Sequence, residues 1–270
     1  MVNVDHLGLN AGSAELAILT GDPRRAALIA ETFQAKLVAD RRGFPSYVAA
    51  DWCRPLAIVG TGIGGPATAI VAEELIALGV RAIIRIGTCG GLQPEVKPDH
   101  LVVSTGCVRD DGTSREYIDL AFPALSHGHL AAGLVEAGRA NGATVHLGIT
   151  HSKDTYYSER RGMQPDSDRT ARRWQTLRAA GVLATEMEGA ALFVIASLRG
   201  IAAGGIFVVV GKERTTGFQG AFQGAITACA KAFSSLIDTG ELDALMPRRV
   251  SLDNSFLASR LPPAAPGDGL

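Results

Sequence analysis

No excess of charge of either sign marks this chain. Its 26 Lys and Arg stand against 27 Asp and Glu, a net charge of −1. That balance excludes an electrostatic case for wrapping nucleic acid or lying on an anionic membrane. Long apolar runs are missing too: Ala203–Val210, among the longest, is far too short to span a bilayer. The N-terminus Met1-Val2-Asn3-Val4-Asp5-His6 lacks a basic-then-apolar leader, so a cytoplasmic chain is expected. None of Cys53, Cys89, Cys107 and Cys229 stands in a C-x-x-C pair, which leaves neither a zinc knuckle nor a redox couple. Scattered single cysteines read as small core residues, and only Cys89 lies beside a glycine turn. The histidines form no metal motif. His127 and His129 fall on different sides of a helix, and His100, His146 and His151 read as structural or surface residues.

What the chain does have is apolar side chain in quantity, 47% of 270 residues, enough for a sizeable core. Strand-like runs recur at Leu16–Leu19, Leu56–Val59, Ala82–Ile86, Leu101–Ser104, Val145–Thr150 and Ile206–Val210. Helix-period stretches lie between several of them: Pro23–Leu37, Pro66–Leu78, His127–Asn141, Asp168–Ala180, Glu186–Arg199 and Ala221–Thr239. Alternating strands and helices predict a layered α/β domain with a largely parallel sheet. No linker or repeat divides the chain, so residues 1–260 are expected to form one domain. The Pro- and Gly-rich residues 261–270 are expected to fray.

The stretch VGTGIGGPATAI, residues 59–70, carries Gly60, Gly62 and Gly65 at G-x-G-x-x-G spacing after an apolar run. A dinucleotide fold also wants an acidic residue at the end of the next strand, for a ribose hydroxyl. That strand, RAIIRIGTCGG (81–91), offers Arg85, Gly87, Thr88 and Gly90 and no carboxylate. A basic residue followed by a hydroxyl and glycines suits a free anion better. Two more segments ask for the same ligand. In TGDPRR (20–25), Gly21 lets backbone N–H groups approach and Arg25 reaches forward from a helix start. In DRRGF (40–44), Arg41 and Arg42 offer planar forks for phosphate. Any one of these segments alone reads as an ordinary turn or a solvated surface. Glu186, Met187 and Glu188 open an apolar helix, where carboxylates are favourable with the macrodipole; a carboxylate there could also accept two hydrogen bonds from a vicinal diol.

In combination, HLGL (6–9), TGDPRR (20–25), GTGIGGPATAIVAEEL (60–75), RAIIRIGTCGGLQ (81–93), SKDTYY (152–157) and ATEMEGAAL (184–192) resemble the nucleoside phosphorylase family, most closely its uridine phosphorylase branch. The stretches run in family order and cover nearly all the chain before the tail. The resemblance implies a three-layer α/β/α sandwich around a mixed, partly barrel-like central sheet. It implies reversible phosphorolysis, in which nucleoside plus phosphate gives base plus ribose 1-phosphate. By position, Gly21, Arg25, Arg85 and Thr88 would hold phosphate, with Arg42 completing that site from a neighbouring subunit. His6 would cross the same interface to the ribose 5′-hydroxyl. Thr88, Met187 and Glu188 would hold the sugar, and Tyr156 would stack on the base. Arg85, Thr88 and Glu188 would carry the catalysis. The implied active form is a homodimer, or a hexamer built from dimers. Inorganic phosphate is a co-substrate, and no cofactor or metal is expected.

The base is read less directly. Many purine-cleaving relatives carry an aspartate at the end of the last strand, where this chain has Gly211. The family's uracil-reading Gln-x-Arg is absent from YYSERRGMQP (156–165), so Arg160, Arg161 and Gln164 compete for that task with Lys212 and Arg214. Gly43 and Ala67 stand where some relatives bind a monovalent cation, and no such site is expected. The rivals are a phosphorylase for another nucleoside, a nucleoside hydrolase on the same fold, and a nucleoside sensor without turnover.

Overall fold

A strand that is buried on both faces needs a helix layer on each side. Both β1 (Leu16–Thr20, LAILT) and β4 (LAIVG, residues 56–60) are of this kind and fully buried. In the computed structural model, which describes residues 4–157, 167–211 and 215–248, they pair in parallel at the middle of one extended sheet. The elements run β1, α1 (Pro23–Thr32), β2 (Lys36–Arg41), β3 (Phe44–Ala49), β4 (Leu56–Gly60), α2 (Gly65–Leu78), β5 (Ala82–Gly91) and β6 (Leu101–Asp110). Then follow α3 (Thr113–Tyr117), β7 (Ala124–Leu125), α4 (Gly128–Ala140), β8 (Val145–Lys153), α5 (Ser167–Ala179), β9 (Ala184–Glu186), α6 (Gly189–Arg199), β10 (Ala202–Val210), α7 (Phe218–Asp238) and α8 (Glu241–Ala244).

The sheet runs β10-β6-β8-β9-β5-β1-β4-β3-β2, and β10 also pairs with β5. That last pairing closes β5, β9, β8, β6 and β10 into a mixed five-stranded barrel, with β1, β4, β3 and β2 extending from it. Helices α1, α4 and α7 cover one face, where Ile29, Leu134 and Phe233 belong to one buried cluster with Ile18, Ile58 and Ile84. Helices α2 and α6 cover the other, where Leu75 and Phe193 meet Leu19, Val59 and Ile83. A third cluster, including Cys89, Val102, Phe207 and Val209, comes from barrel strands and fills the barrel. The three-layer sandwich with a partly closed mixed sheet is therefore present. The expectation of a largely parallel sheet is corrected: β2–β3, β3–β4, β5–β9, β6–β7 and β6–β10 are antiparallel.

All six expected strands are present, several of them longer. Two helices need correction. The one expected over Pro23–Leu37 ends at Thr32. Gln34 turns left-handed at φ 53°, and the Ala35 N–H reaches back to the Ala30 carbonyl at 2.8 Å, which closes the helix without a glycine. Lys36–Arg41 then continues as a strand. The helix expected over Glu186–Arg199 begins only at Gly189, because Ala184–Glu186 pairs as β9 with β8 and β5. Its opening carboxylates thus lie before the first helical turn. The tail from residue 249 lies outside the described residues. Among those described, no helix is long and apolar enough to cross a membrane.

Candidate functional site

The chemistry gathers where β1, β4 and β5 deliver their C-terminal ends, the usual place for a ligand in an open α/β sheet. Arg85 sits on β5 beside Leu19 of β1. Its guanidinium runs forward along the strand, past Gly87, where an added Cβ would lie 3.6 Å from Arg85 Nε. Arg85 Nη2 then pairs with Glu188 Oε2 at 2.6 Å, with both side chains about 5% exposed (5% and 6%). Arg85 Nη1 lies 3.4 Å from Thr61 Oγ1. Among the described residues, the buried Arg85 Nε has no hydrogen-bond partner, an orphan donor at the centre of the site.

The glycine turn meets the same point. Gly64 takes φ 99°, which favours glycine, and its N–H donates to Glu188 Oε1 at 2.6 Å. The backbone of Gly21 approaches equally closely: a Cβ there would stand 3.5 Å from Arg85 Nη2 and 3.1 Å from the Gly62 carbonyl. The turn thus holds a carboxylate with its N–H and lies against the loop after β1.

Behind Glu188 sits a second acid. Glu186 is buried at the end of β9, and its Oε2 accepts the N–H groups of Glu188 at 2.8 Å and Gly189 at 2.6 Å. Its Oε1 accepts the Ser152 hydroxyl. Burial and the neighbouring Glu188 charge push this carboxyl above its ordinary range, while the three donors pull it back. Cys107, Thr150 and Ser104 form a thiol and hydroxyl chain beside it.

The remaining expected residues are placed as follows. Thr88 is half-buried on β5, three positions beyond Arg85, and Met187 is half-buried between the two glutamates. Arg25, in the first turn of α1, lies over the rings of Phe218 and Phe222 at 5.2 and 5.6 Å. There it lines a cavity of about 570 Å³ between α1 and α7, with Asp22, Leu28 and Ile226. Arg42 is exposed at the tip of the β2–β3 turn with φ 52°. His6 is held within its own chain, Nδ1 2.6 Å from Glu74 Oε1, and Glu74 also accepts the N–H groups of Asp5, His6 and Leu7. Tyr156 follows β8, 64% exposed and edge-on to Tyr157. Arg160, Arg161, Gln164, Lys212 and Arg214 lie outside the described residues.

The structure thus brings together Gly21, Arg85 and Glu188, sets Thr88 and Met187 on the same strand and turn, and places Arg25 against α7. Thr61 and Gly64 join the site without having been singled out. Gly64 was legible as part of the glycine turn, but nothing in that pattern says that its N–H faces a carboxylate 124 residues away.

The Phosphorylase superfamily matches residues 15–239. The uridine phosphorylase of Treponema pallidum is 37% identical over 211 residues, covering 77% of this chain and 82% of its own. That of Escherichia coli is 38% identical over 216 residues, 77% and 85% of the two chains. The guanosine phosphorylase of Halorubrum lacusprofundi is 36% identical over 213 residues, 78% and 84%. With a match spanning most of its length and relatives covered well beyond two thirds, the chain belongs to the phosphorylase superfamily.

Proposed function

We propose that this nucleoside phosphorylase is a uridine phosphorylase, converting uridine and phosphate reversibly to uracil and ribose 1-phosphate. The observation that carries the reading is the Arg85–Glu188 pair, locked to Gly64 N–H and set against Gly21. It supplies a fixed cation for a phosphate dianion and, next to it, a carboxylate that can accept from both hydroxyls of a ribose diol. The phosphate lies under C1′ against Arg85, Gly21 and Thr88; Arg25, which lies over Phe218 and Phe222 of α7, would have to swing away from those rings to join them. Glu188 and Met187 hold the sugar above it.

As the bond from C1′ to the base nitrogen breaks, its electron pair leaves with the base and positive charge builds on the ribose. The adjacent dianion stabilises that charge, and one of its oxygens forms the new bond to C1′. The departing base takes up a proton from water. Holding both partners in line supplies much of the acceleration, and no covalent enzyme intermediate is required. Arg160, Gln164 and Lys212, which lie outside the described residues, would supply donors to the carbonyl oxygens of the base, with Tyr156 stacked on its ring. His6 and Arg42 complete the site of a second copy in a homodimer or a hexamer of dimers.

Gly211, immediately after β10, favours a pyrimidine, since it offers no acid to protonate a purine. The relative named guanosine phosphorylase favours the purine reading. A panel of uridine, 2′-deoxyuridine, inosine, guanosine and adenosine, each with and without phosphate, separates them. Phosphate-dependent release of uracil with little purine release is the expected outcome. Dominant release of guanine or hypoxanthine would move the assignment to a purine nucleoside.

A further inference from the structure

Two glutamates only two positions apart take opposite duties at the β9–α6 turn. Glu188 turns toward the glycine turn and β5, to Arg85 Nη2 and the Gly64 N–H, both at 2.6 Å. Glu186 turns back beneath the helix start. Its Oε2 accepts the Glu188 and Gly189 N–H groups, and its Oε1 accepts the Ser152 hydroxyl. Ser152 Oγ in turn accepts the Ala190 N–H at 2.8 Å. The backbone donors of three successive residues are therefore bound by two side chains from the barrel, whose strands pair Ser152 with Glu186. A larger residue at 189 would force these side chains to move: a Cβ there would lie 2.7 Å from Cys107 Sγ and 3.0 Å from Glu186 Oε1.

We infer that Glu186, seated on Ser152, is a positioning residue that sets the backbone of Glu188 and so aims its carboxylate at the ribose diol. The inference deepens the proposed function and rests on Glu188 clasping that diol. Free first-turn N–H groups would let the turn relax toward other acceptors, since buried donors left without partners are costly. The 186 carboxylate, with its acceptor positions taken by the turn and by Ser152, acts through Glu188 rather than on substrate itself.

The test compares binding of uridine and 2′,3′-dideoxyuridine, which lacks the diol, by titration calorimetry. It uses the wild-type chain, Glu186→Ala, Glu186→Gln, Glu188→Ala and the Glu186→Ala/Glu188→Ala double variant. Glu186→Ala is expected to shrink the preference for uridine roughly tenfold, the size of losing one charge-assisted hydrogen bond. Glu186→Gln retains an amide oxygen for both N–H groups and recovers most of that preference. The double variant discriminates no worse than Glu188→Ala alone, the signature of two residues acting as a unit.

If the two losses multiply in the double variant, or if Glu186→Ala discriminates as well as wild type, the inference is wrong. Should Glu186→Ala not fold, Ser152→Ala carries the same comparison through the Ala190 N–H. A wild-type chain that binds both nucleosides equally overturns the diol reading itself. One that prefers uridine while Glu186→Ala is unchanged overturns the positioning role alone.

Discussion

Arg85 and Glu188 neutralise each other at 2.6 Å in surroundings where neither charge could stand alone. Removing one partner of such a pair leaves the other buried and uncompensated, a change of about 3–5 kcal/mol. Arg85→Ala is therefore expected to lower the unfolding free energy by about that amount in urea. Where the variant stays folded, its turnover falls by about 10²–10³, as for an oxyanion donor. Unchanged urea midpoints together with near-normal kinetics would contradict the assigned role. Arg85 was legible in the sequence because a basic residue, a hydroxyl and two glycines replaced the acid that a dinucleotide strand requires. Glu186 was not. Its position beside Glu188 has a sufficient explanation in the helix dipole, and only the strand pairing of β9 shows that it sits before the helix, under the turn.

At the scale of elements, apolar runs and helical spacing carried the reading as far as the core demanded them. Fully buried β1 and β4 were unmistakable; exposed β2 was not. Its Leu37 and Val38 face solvent at 56% and 57%, so no alternation of buried and exposed residues marks it as a strand. The stop of α1 was hidden for a related reason. A helix end is usually announced by glycine, and here Gln34 adopts the left-handed conformation at φ 53°. That residue is strained by about 1–2 kcal/mol, and a glycine there would remove the strain at the cost of a larger unfolded-state entropy. Gln34→Gly, at an exposed position, is expected to raise stability by about 0.5–1 kcal/mol. A thermal or urea midpoint lowered by the substitution would show that the turn is not limited by backbone strain.

Taken whole, the molecule is two helix layers on a sheet that curls into a barrel at one end, and the site lies where open sheet and barrel share β5. The barrel also buries charge that the site does not use. Lys153, at the end of β8, lies over Trp174 with its ammonium 5.3 Å from the ring centre. Burial brings its pKa down from 10.5 to about 8, against the pull of Asp110. Between those values the unfolded chain binds this proton and the folded chain does not, so the Lys153 contribution to stability rises with pH from about 8 to 10.5. The buried thiols of Cys89 and Cys229, pushed up by burial, act in the opposite sense as pH rises past their ordinary value. The comparison therefore uses the difference between wild type and Lys153→Met. That difference should shift in favour of the wild type as pH rises from 8 to 10.5, read from urea midpoints; a difference that stays flat would mean Lys153 is solvated.

The paired arginine and glutamate mean little unless phosphate itself becomes part of the product. Phosphorus-31 NMR of the purified chain with uridine and inorganic phosphate follows this atom by atom. The phosphate resonance should convert to ribose 1-phosphate in step with uracil release, and neither product should form when phosphate is withheld. Uracil released at the same rate without phosphate, with free ribose beside it, would contradict the reading.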